Sequence, residues 1–421
     1  MEEDWSAHQL YNEAKEVLGV EAARDLRQRA EHLRRQGLAV VFSLGHLSRI
    51  TGVRYAVLHA TVERRRESCN YRMFAVKKRS GGRRFIHSVQ PDLLRVQSFI
   101  NEAILQRCQV HEASYAFHHS GGIRQCASRH LGARWLFQFD LIDFFYDINE
   151  IDVFKIFKQL GYRPLLAFEL ARLCTTTRLP QVARRVGNRL LWHEDETTFA
   201  SLGAILPPSP AERRATEELR QILEDGDSLA DEVEEEPLRP YSSRRGFLGV
   251  LPQGAPSSPM LSNLAAGQLD NRLAEYARGR GLTYTRYADD LTISAVDLPC
   301  SRGRVRREII EIIRECGFAE NPKKTRVAGP GSRKLVLGLL VDGGRVRISR
   351  QTYKRIDRHL YAAFEFGLEA TAAHEGFDSA YGFFNHLAGL CAFVKDVDMV
   401  RWNEFSQRLD AIRAKSNSGS A

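Results

Sequence analysis

The sequence predicts an α+β protein in which helices and strands are interleaved along the chain. Two pairs of alternating runs, at residues 71–89 and 283–294, each enclose a short turn and indicate β-hairpins. Apolar residues recur at helical spacing over residues 8–36, and again from Ser349 almost to the last residue. With 421 residues the chain exceeds an average domain, so we expect two or three structural parts.

The elements of the first half follow from this periodicity. After the helix at 8–36, a helical pair is expected between residues 44 and 65, broken near Thr51 and Gly52. The hairpin at 71–89 turns at Ser80-Gly81-Gly82, because glycine accepts the backbone angles of a tight turn. We then predict a helix at 93–106, a short apolar strand at 135–140 that ends on a carboxylate, and helices at 150–160 and 164–174.

In the second half, residues 178–245 have weak periodicity and are interpreted as an insertion that is partly helical and partly mobile. A helix is predicted at 257–279, with Ser257 or Ser258 as its cap. The hairpin at 283–294 follows. The remaining elements are a helix at 303–316, a hairpin around Asp342-Gly343-Gly344 and a largely helical segment after Ser349.

Charge is unevenly distributed along the chain. Lys and Arg number 61 against 52 Asp and Glu, a net charge of +9. Residues 211–238 carry a net charge of −8, which leaves +17 on the rest of the chain. A body this basic favours a polyanionic partner such as nucleic acid, although charge that serves only solubility is the alternative. The scattered cysteines, the acidic N-terminus and the lack of a long apolar run predict a cytoplasmic protein that does not enter the membrane.

Three stretches carry candidate chemistry. Asp289 and Asp290 lie side by side at the tip of the second predicted hairpin, where their charges repel unless a cation such as Mg²⁺ neutralises them. Asp140 ends an apolar strand and supplies the third carboxylate that a two-metal phosphoryl-transfer site needs. Residues 251–259 hold three prolines and a glycine, which fix a rigid turn before a helix. Taken singly, each has a purely structural alternative: a solvated turn, the end of a strand, or a loop.

Together and in this order, the three stretches resemble the palm motifs of reverse transcriptases. Residues 77–86 look like the fingers hairpin of that family, and residues 321–325 look like its lysine-bearing palm segment. The resemblance implies a right-hand polymerase with fingers, palm and thumb, and an enzyme that acts as an RNA-directed DNA polymerase. The implied divisions are a helical N-terminal region at 1–70, fingers at 71–135, palm at 136–180 and 247–348, the acidic insertion at 181–246, and a helical thumb with its tail at 349–421.

The resemblance also implies the roles of individual residues. Asp140, Asp289 and Asp290 would bind two Mg²⁺ ions, assisted by the carbonyl of Leu141. Phe145 would be the steric gate that excludes a ribose 2′-hydroxyl. The other residues implied in binding the incoming nucleotide are Lys78 and Arg84 on its triphosphate, Asp143 and Phe144 beside the gate, Gln253 and Gly254 against the new base pair, and Lys324 near the pyrophosphate.

Within that family the chain looks most like bacterial retron-type enzymes and their defence-associated relatives. Two retron patterns are only half present, with Cys126 where an Asn is usual and Leu337 where a Thr is usual. This favours an antiphage defence enzyme that copies a dedicated structured non-coding RNA into DNA from dNTPs, with further defence proteins as possible partners. The alternatives are a true retron enzyme that makes branched RNA-linked DNA, and a non-catalytic RNA-binding scaffold.

Overall fold

The computed structural model describes residues 11–12, 14–16, 19–77, 83–178 and 248–418. Helices and strands alternate along the chain, so the α+β class is confirmed. The helices are α1 (Val20–Arg35), α2 (Leu44–Thr51), α3 (Tyr55–Val62), α4 (Glu67–Asn70), α5 (Pro91–Ala103), α6 (Ile123–Ser128), α7 (Glu150–Gln159), α8 (Pro164–Cys174), α9 (Ser258–Ala265), α10 (Gly267–Arg278), α11 (Arg302–Glu315), α12 (Arg350–Phe366), α13 (Leu368–His374), α14 (Ala380–Lys395) and α15 (Met399–Ser418).

The strands form three antiparallel sheets: a β1–β2 hairpin, a four-stranded sheet in the order β4-β5-β3-β6, and a small sheet in the order β7-β8-β9. Both hairpins predicted around the first and second turns are confirmed, as is the one around residues 342–344. The strands are β1 (Tyr71–Lys77), β2 (Arg83–Val89), β3 (Trp135–Asp140), β4 (Thr283–Tyr287), β5 (Asp290–Ala295), β6 (Arg326–Ala328), β7 (Leu335–Val336), β8 (Leu339–Leu340) and β9 (Arg347–Ile348).

The chain divides into two compact units. Unit 1 consists of Met1–His111, Leu141–Leu269 and Glu315–Phe318, and unit 2 of Glu112–Asp140, Asp270–Arg314 and Ala319–Ala421. Unit 1 contains the β1–β2 hairpin and α1 to α5. Unit 2 contains the four-stranded sheet and the C-terminal helices. The finer division into fingers, palm and thumb at the expected boundaries stays a prediction, and the acidic insertion lies largely outside the described residues.

A buried polar cluster helps to hold unit 1 together. Gln97 on α5 donates through Nε2 to the hydroxyl of Tyr71 at 2.9 Å and to the carbonyl of Leu173 at 2.8 Å. All of these groups are buried, and a buried amide whose donors are satisfied fixes neighbouring elements in one register. These contacts tie α5 to the start of β1 and to α8, so the base of the hairpin is anchored to the helices around it.

In unit 2 the small sheet and the C-terminal helices share one hydrophobic core. Apolar side chains from α12 to α15 pack with the inner faces of β7 and β8, and Leu136 of β3 belongs to the same cluster. The four-stranded sheet is thereby continuous with the helical C-terminal part through buried apolar contacts. The largest side chains in this core include Phe383 and Phe405, both fully buried.

Three local expectations are wrong. The helix predicted at 8–36 is interrupted at Gly19, which has φ +83° and precedes α1. The helix predicted at 257–279 is two helices, α9 and α10, because the backbone leaves helical geometry at Ala266 (φ −78°, ψ 2°) and the next residue is Gly267, a weak helix former. Ser257 does occupy the position before α9, but its side chain makes no capping hydrogen bond.

No helix in the part of the chain that the structure describes is long and apolar enough to cross a lipid bilayer.

Candidate active site

Asp140 is the last residue of the strand β3, which lies between β5 and β6 in the four-stranded sheet. Most of this strand is buried, including Leu136, Phe137 and Phe139, and only 8% of Asp140 is exposed. Its backbone carbonyl accepts the N–H of Asn321 at 2.8 Å, and Asn321 Nδ2 also donates to Asp140 Oδ2 at 3.3 Å. Lys324 Nζ lies 2.6 Å from the other carboxylate oxygen, Oδ1. The carboxylate of Asp140 is thus held by two residues of one short loop.

Asp289 and Asp290 lie at the turn of the β4–β5 hairpin. Tyr287 pairs with Asp290 as the last residues of the ladder, which leaves Ala288 and Asp289 as a two-residue turn. Ala288 has φ +57°, an uncommon conformation for a residue with a side chain. Asp290 is also the register partner of Asp140 across β3 and β5. Directly opposed residues of antiparallel strands have Cα atoms about 4.5–5.5 Å apart, so the two acids meet at one edge of the sheet.

The electrostatics of this edge favour a bound cation. Desolvation, followed by the charges of Asp289 and Asp140, raises the pKa of Asp290 to about 6, while Lys324 opposes the shift. Asp290 as a whole is exposed, so the charges of the two neighbouring carboxylates contribute more to its raised pKa than burial does. Three carboxylates against one ammonium group leave excess negative charge at the edge of the sheet. Such a group of like charges is relieved by protonation or by a metal ion.

The carboxylates fit Mg²⁺ in chemical type. Mg²⁺ prefers hard oxygen ligands and usually takes only one or two carboxylates, with water and substrate phosphates as its other ligands. Within the described residues, no three His, Cys, Asp or Glu side chains are already grouped so that they could hold a metal ion. An open edge that offers carboxylates and leaves positions for phosphate oxygens is compatible with that preference. Lys324 supplies the positive charge beside Asp140 in this conformation.

The predicted nucleotide-binding residues that follow Asp140 belong to unit 1. Leu141 and Phe144 are buried, Asp143 is exposed and Phe145 is half-buried. Asp143 has φ +47°, and the segment turns sharply there. Phe144 packs against Phe145 with ring centroids 5.8 Å apart and against Phe318 at 5.6 Å. Phe145 therefore presents a ring on a firmly packed base, and its role as the steric gate stays a prediction.

The proline-rich turn is anchored inside unit 1 by the residues that precede Gln253 and Gly254. Glu150 accepts the N–H of Gly249 at 2.8 Å, and the backbones of Thr176 and Val250 exchange two hydrogen bonds of 2.9 Å. Leu251 N then donates to the carbonyl of Ile148 at 3.1 Å. These bonds attach the approach to the start of α7 and to the segment after α8, so the turn begins from a fixed point.

Gln253 and Gly254 lie directly against the strand β2. The carbonyl of Gln253 accepts the N–H of His87 at 2.8 Å. Gly254 has φ +111°, and a Cβ there would meet the His87 carbonyl oxygen and Ile86 Cγ2 at 2.9 Å. Arg84, two residues before Ile86 on the same strand, is exposed. The structure thus brings three predicted nucleotide-binding residues, Arg84, Gln253 and Gly254, into one part of unit 1, whereas Lys78 lies outside the described residues.

The segment around Cys126, which carries the altered retron pattern, contacts the strands β4 and β5. His130 is buried, and its ring nitrogens lie 2.7 Å from the hydroxyls of Ser294 and Thr285. Cys126 Sγ donates to the same Thr285 hydroxyl at 3.3 Å. Burial lowers the pKa of His130 to about 3, so its imidazole is neutral and bridges two neutral hydroxyls. Cys126 therefore has a packing role on the hairpin that bears Asp289.

Two participants were missed in the sequence. Asn321 donates hydrogen bonds to both the backbone carbonyl and the carboxylate of Asp140, and Arg286 is a fully buried cation two residues before the Ala288–Asp289 turn. A charged residue within a predicted strand was the available signal for Arg286, because burying a charge is costly unless it is paired. Asn321 lies in the stretch 321–325 that resembles the palm segment of the family, but the sequence indicated no contact between it and Asp140.

Two side chains of α12 lie in contrasting surroundings. Phe364 is 42% exposed and lies under Lys415 Nζ, 4.6 Å from the ring centroid. His359 is only 4% exposed and packs on Phe383, away from the exposed face of the helix. Both follow from the phase of α12, whose buried face consists of Ile356, His359, Leu360 and Ala363.

Comparison with known proteins gives consistent matches. A family model described as "Reverse transcriptase (RNA-dependent DNA polymerase)" matches residues 237–340. The Retron Mx65 reverse transcriptase of Myxococcus xanthus is 31% identical over 374 residues, which cover 88% of this chain and 72% of that protein. The Retron Ec86 reverse transcriptase of Escherichia coli is 28% identical over 334 residues, covering 79% of this chain and 81% of that protein. The Retron Mx162 reverse transcriptase of Myxococcus xanthus is 27% identical over 410 residues, covering 94% and 72%.

Proposed function

This chain belongs to the family of retron-type reverse transcriptases, and on that premise we propose that it copies RNA into DNA at the carboxylate edge of its four-stranded sheet. The observation that carries the proposal is the register of that sheet. It places Asp140 opposite Asp290, with Asp289 in the adjoining turn. Family membership supports a right-hand polymerase fold and RNA-directed DNA polymerase activity, and the sheet edge supplies a site for the chemistry.

Asp140, Asp289 and Asp290 would hold two Mg²⁺ ions, with the carbonyl of Leu141 as a further oxygen ligand. When bound, Mg²⁺ lowers the barrier to attack by the primer 3′ oxygen and neutralises charge on the triphosphate. The protein's own contribution is to fix three ligands on rigid elements: Asp140 on a central strand and the other two on a two-residue turn. Lys324, already beside Asp140, is positioned to supply positive charge as pyrophosphate leaves.

Unit 1 would bind the incoming nucleotide. Arg84 is exposed on β2 and can hold phosphate oxygens, as Lys78 is predicted to do on the same hairpin. Gln253 and Gly254 offer a backbone surface without a side chain at Gly254, which suits close contact with a base pair. Phe145, with Asp143 and Phe144 beside it, would exclude a ribose 2′-hydroxyl and so select dNTPs over ribonucleotides.

Primer extension with purified protein tests the activity. The protein should extend a DNA primer on an RNA template with dNTPs and Mg²⁺, and chelation of the metal should stop the reaction. Extension that proceeds equally well in excess EDTA would contradict a metal-dependent polymerase. A protein that binds the primer–template but never extends it would support the alternative of a non-catalytic scaffold.

The natural template is proposed to be one structured non-coding RNA. The exposed face of α12 carries Lys354, Arg355 and Arg358 together with Tyr361, which is 59% exposed, and Phe366, which is 68% exposed. Positive charge attracts phosphates, and exposed rings can stack on unpaired bases, so this face suits folded RNA. Antiphage defence is the context that we propose for the product, and branched RNA-linked DNA of the retron kind is the alternative.

Sequencing of nucleic acid bound to the protein tests this partner. Protein purified from cells that carry the natural locus should retain one discrete RNA, and its binding should weaken steeply as salt rises. A broad mixture of cellular RNAs would contradict a dedicated template. Sequencing the DNA from the same cells separates the two products, since a retron enzyme leaves DNA joined to its RNA through a branch.

A further inference from the structure

Arg286 is a fully buried cation on β4, one residue before Tyr287 and the turn that carries Asp289. Its guanidinium forms a bidentate pair with the equally buried Asp270: Nε lies 2.8 Å from Oδ1, and Nη2 lies 2.6 Å from Oδ2. The hydroxyl of Tyr284 donates to the same Oδ1 at 2.8 Å. A guanidinium held through two parallel bonds has a fixed plane, so the direction of its remaining nitrogen is fixed as well.

That remaining nitrogen is directed at the catalytic turn. Arg286 Nη1 donates to the carbonyl oxygen of Ala288 at 3.2 Å. Ala288 is buried, has φ +57° and is the first residue of the turn. The carbonyl of Ala288 and the N–H of Asp289 belong to one planar peptide group, so a donor that fixes the carbonyl also fixes the plane from which Asp289 projects.

The strand beneath this contact is itself held on its outer edge. Arg286 N donates to the carbonyl of Ala113 at 2.7 Å, and its own carbonyl accepts the N–H of Tyr115 at 2.9 Å. A third contact comes from the side chain, since Nη2 lies 3.3 Å from Ser114 Oγ. With backbone and guanidinium both anchored, Arg286 can transmit little movement to Ala288. A rigid donor is what a turn that carries repelling carboxylates requires.

We propose that Arg286, clamped by Asp270, is a positioning residue that holds the Ala288–Asp289 peptide and thereby sets the spacing of the metal-binding carboxylates. The inference rests on the proposed function of Asp140, Asp289 and Asp290 as metal ligands. Arg286 touches neither the substrate nor the metal ions. Its effect is on how tightly the site binds a divalent cation.

A triple variant tests the proposal without leaving a buried charge unpaired. Asp270→Leu, Tyr284→Phe and Arg286→Met together replace the pair and its hydroxyl partner by apolar groups of similar size, a change that proteins often tolerate. Tyr284→Phe alone is the matched control, because it keeps Arg286 and its bond to Ala288. A second variant, Arg286→Lys, keeps a positive charge for Asp270 but lacks the planar fork that reaches Ala288.

The measurement is binding of Mn²⁺, used as a spectroscopic substitute for Mg²⁺, by electron paramagnetic resonance on the full chain. Loss of an outer partner of a metal ligand weakens binding by about 10- to 100-fold, and this is the loss we expect for the triple variant and for Arg286→Lys. Tyr284→Phe should bind Mn²⁺ as the parent does. The Mg²⁺ concentration needed for half-maximal primer extension should rise in parallel, with KM for primer–template unchanged.

Unaltered Mn²⁺ binding in either Arg286 variant would overturn the inference. So would failure of both variants to fold, judged by circular dichroism melting, because the pair would then be a requirement of the fold as a whole. Asp289→Asn separates this inference from the proposed function. If that variant still binds Mn²⁺ like the parent, the metal site itself is misplaced, whereas its loss of binding beside normal Arg286 variants refutes only the role of Arg286.

Discussion

The raised pKa of Asp290 should make the stability of the protein depend on pH. Desolvation and the charges of Asp289 and Asp140 raise its pKa from 3.8 to about 6, so between these values the folded protein holds a proton that the unfolded chain releases. Metal-free protein should therefore lose stability from this group as pH rises from about 4 to 6. Mg²⁺ should restore stability above pH 6, because it replaces the proton as the neutralising charge.

Asp290→Asn removes this titration and gives a direct measurement. In EDTA, the Tm of the variant should exceed that of the parent above pH 6, and the difference should shrink towards zero below pH 4. Asp297→Asn is the control, since Asp297 is 84% exposed and pairs only at the surface with Arg134. A difference between variant and parent that is the same at every pH would contradict a raised pKa at Asp290.

Phe145 should control the choice of sugar. Its ring packs on Phe144, which itself packs on Phe318. Removing the Phe145 ring therefore leaves a space next to a ring that is held in place by its other contact. Phe145→Ala should raise the ratio of kcat/KM for ribonucleotides to that for deoxyribonucleotides on the order of 10- to 100-fold, because specificity built on a clash disappears with the clashing group. Tyr146→Phe, which keeps a ring at the next position, should leave the ratio unchanged. A ratio that does not move in Phe145→Ala would show that another group gates the sugar.

The strand β2 lies so close to the turn at Gly254 that it restricts which residue can occupy this position. Gly254→Ala would place a methyl group 2.9 Å from the His87 carbonyl at φ +111°. A strain of about 1–3 kcal/mol is expected, and Gln253 should move away from β2. The melting temperature and the rate of dNTP incorporation should both fall. Gly303→Ala is the matched control, because nothing lies within 4 Å of a Cβ there and the residue is helical. Full incorporation by Gly254→Ala would contradict the tight approach of the turn.

Elements with strong local periodicity were predictable, and their long-range partners were not. The strand at 135–140 follows from its apolar run, and the hairpins at 71–89 and 283–294 follow from alternation and turn residues. The split between α9 and α10 depends on the backbone angles at Ala266, and the spacing of apolar residues does not indicate these angles. The pairing of Arg286 with Asp270 joins two elements across sixteen positions, so neither residue alone indicated it. The exposure of Phe364 likewise depends on the phase at which α12 packs, not on its composition.

The candidate site shows the same division. Adjacent acids at a turn and an acid at a strand end were recognisable as a pattern, and the register between β3 and β5 then places them at one edge. The hydrogen bonds of Asn321 and Lys324 to Asp140 could not be foreseen, because they connect positions more than 180 residues apart. Only tertiary structure supplies such contacts.

On the scale of the whole molecule, charge separates a basic body from an acidic segment. Residues 212–236 belong to that segment and lie outside the described residues. They are acidic and poor in apolar side chains, so we expect their deletion to leave polymerisation on a generic RNA template nearly unchanged. Expression, melting temperature and primer extension of the deletion protein check this. An insoluble or inactive product would mean that the segment packs against the catalytic body.

The central claim is that Asp140, Asp289 and Asp290 form one metal-dependent active site, and primer extension by Asp140→Asn and Asp289→Asn tests it most directly. Each change keeps the size of the side chain and removes one metal ligand, so nucleotide incorporation on an RNA template should fall below detection. Melting temperature and RNA affinity should stay close to those of the parent, because the surface proposed to contact RNA phosphates is on α12. Extension by purified Asp289→Asn at the rate of the parent protein would contradict the account.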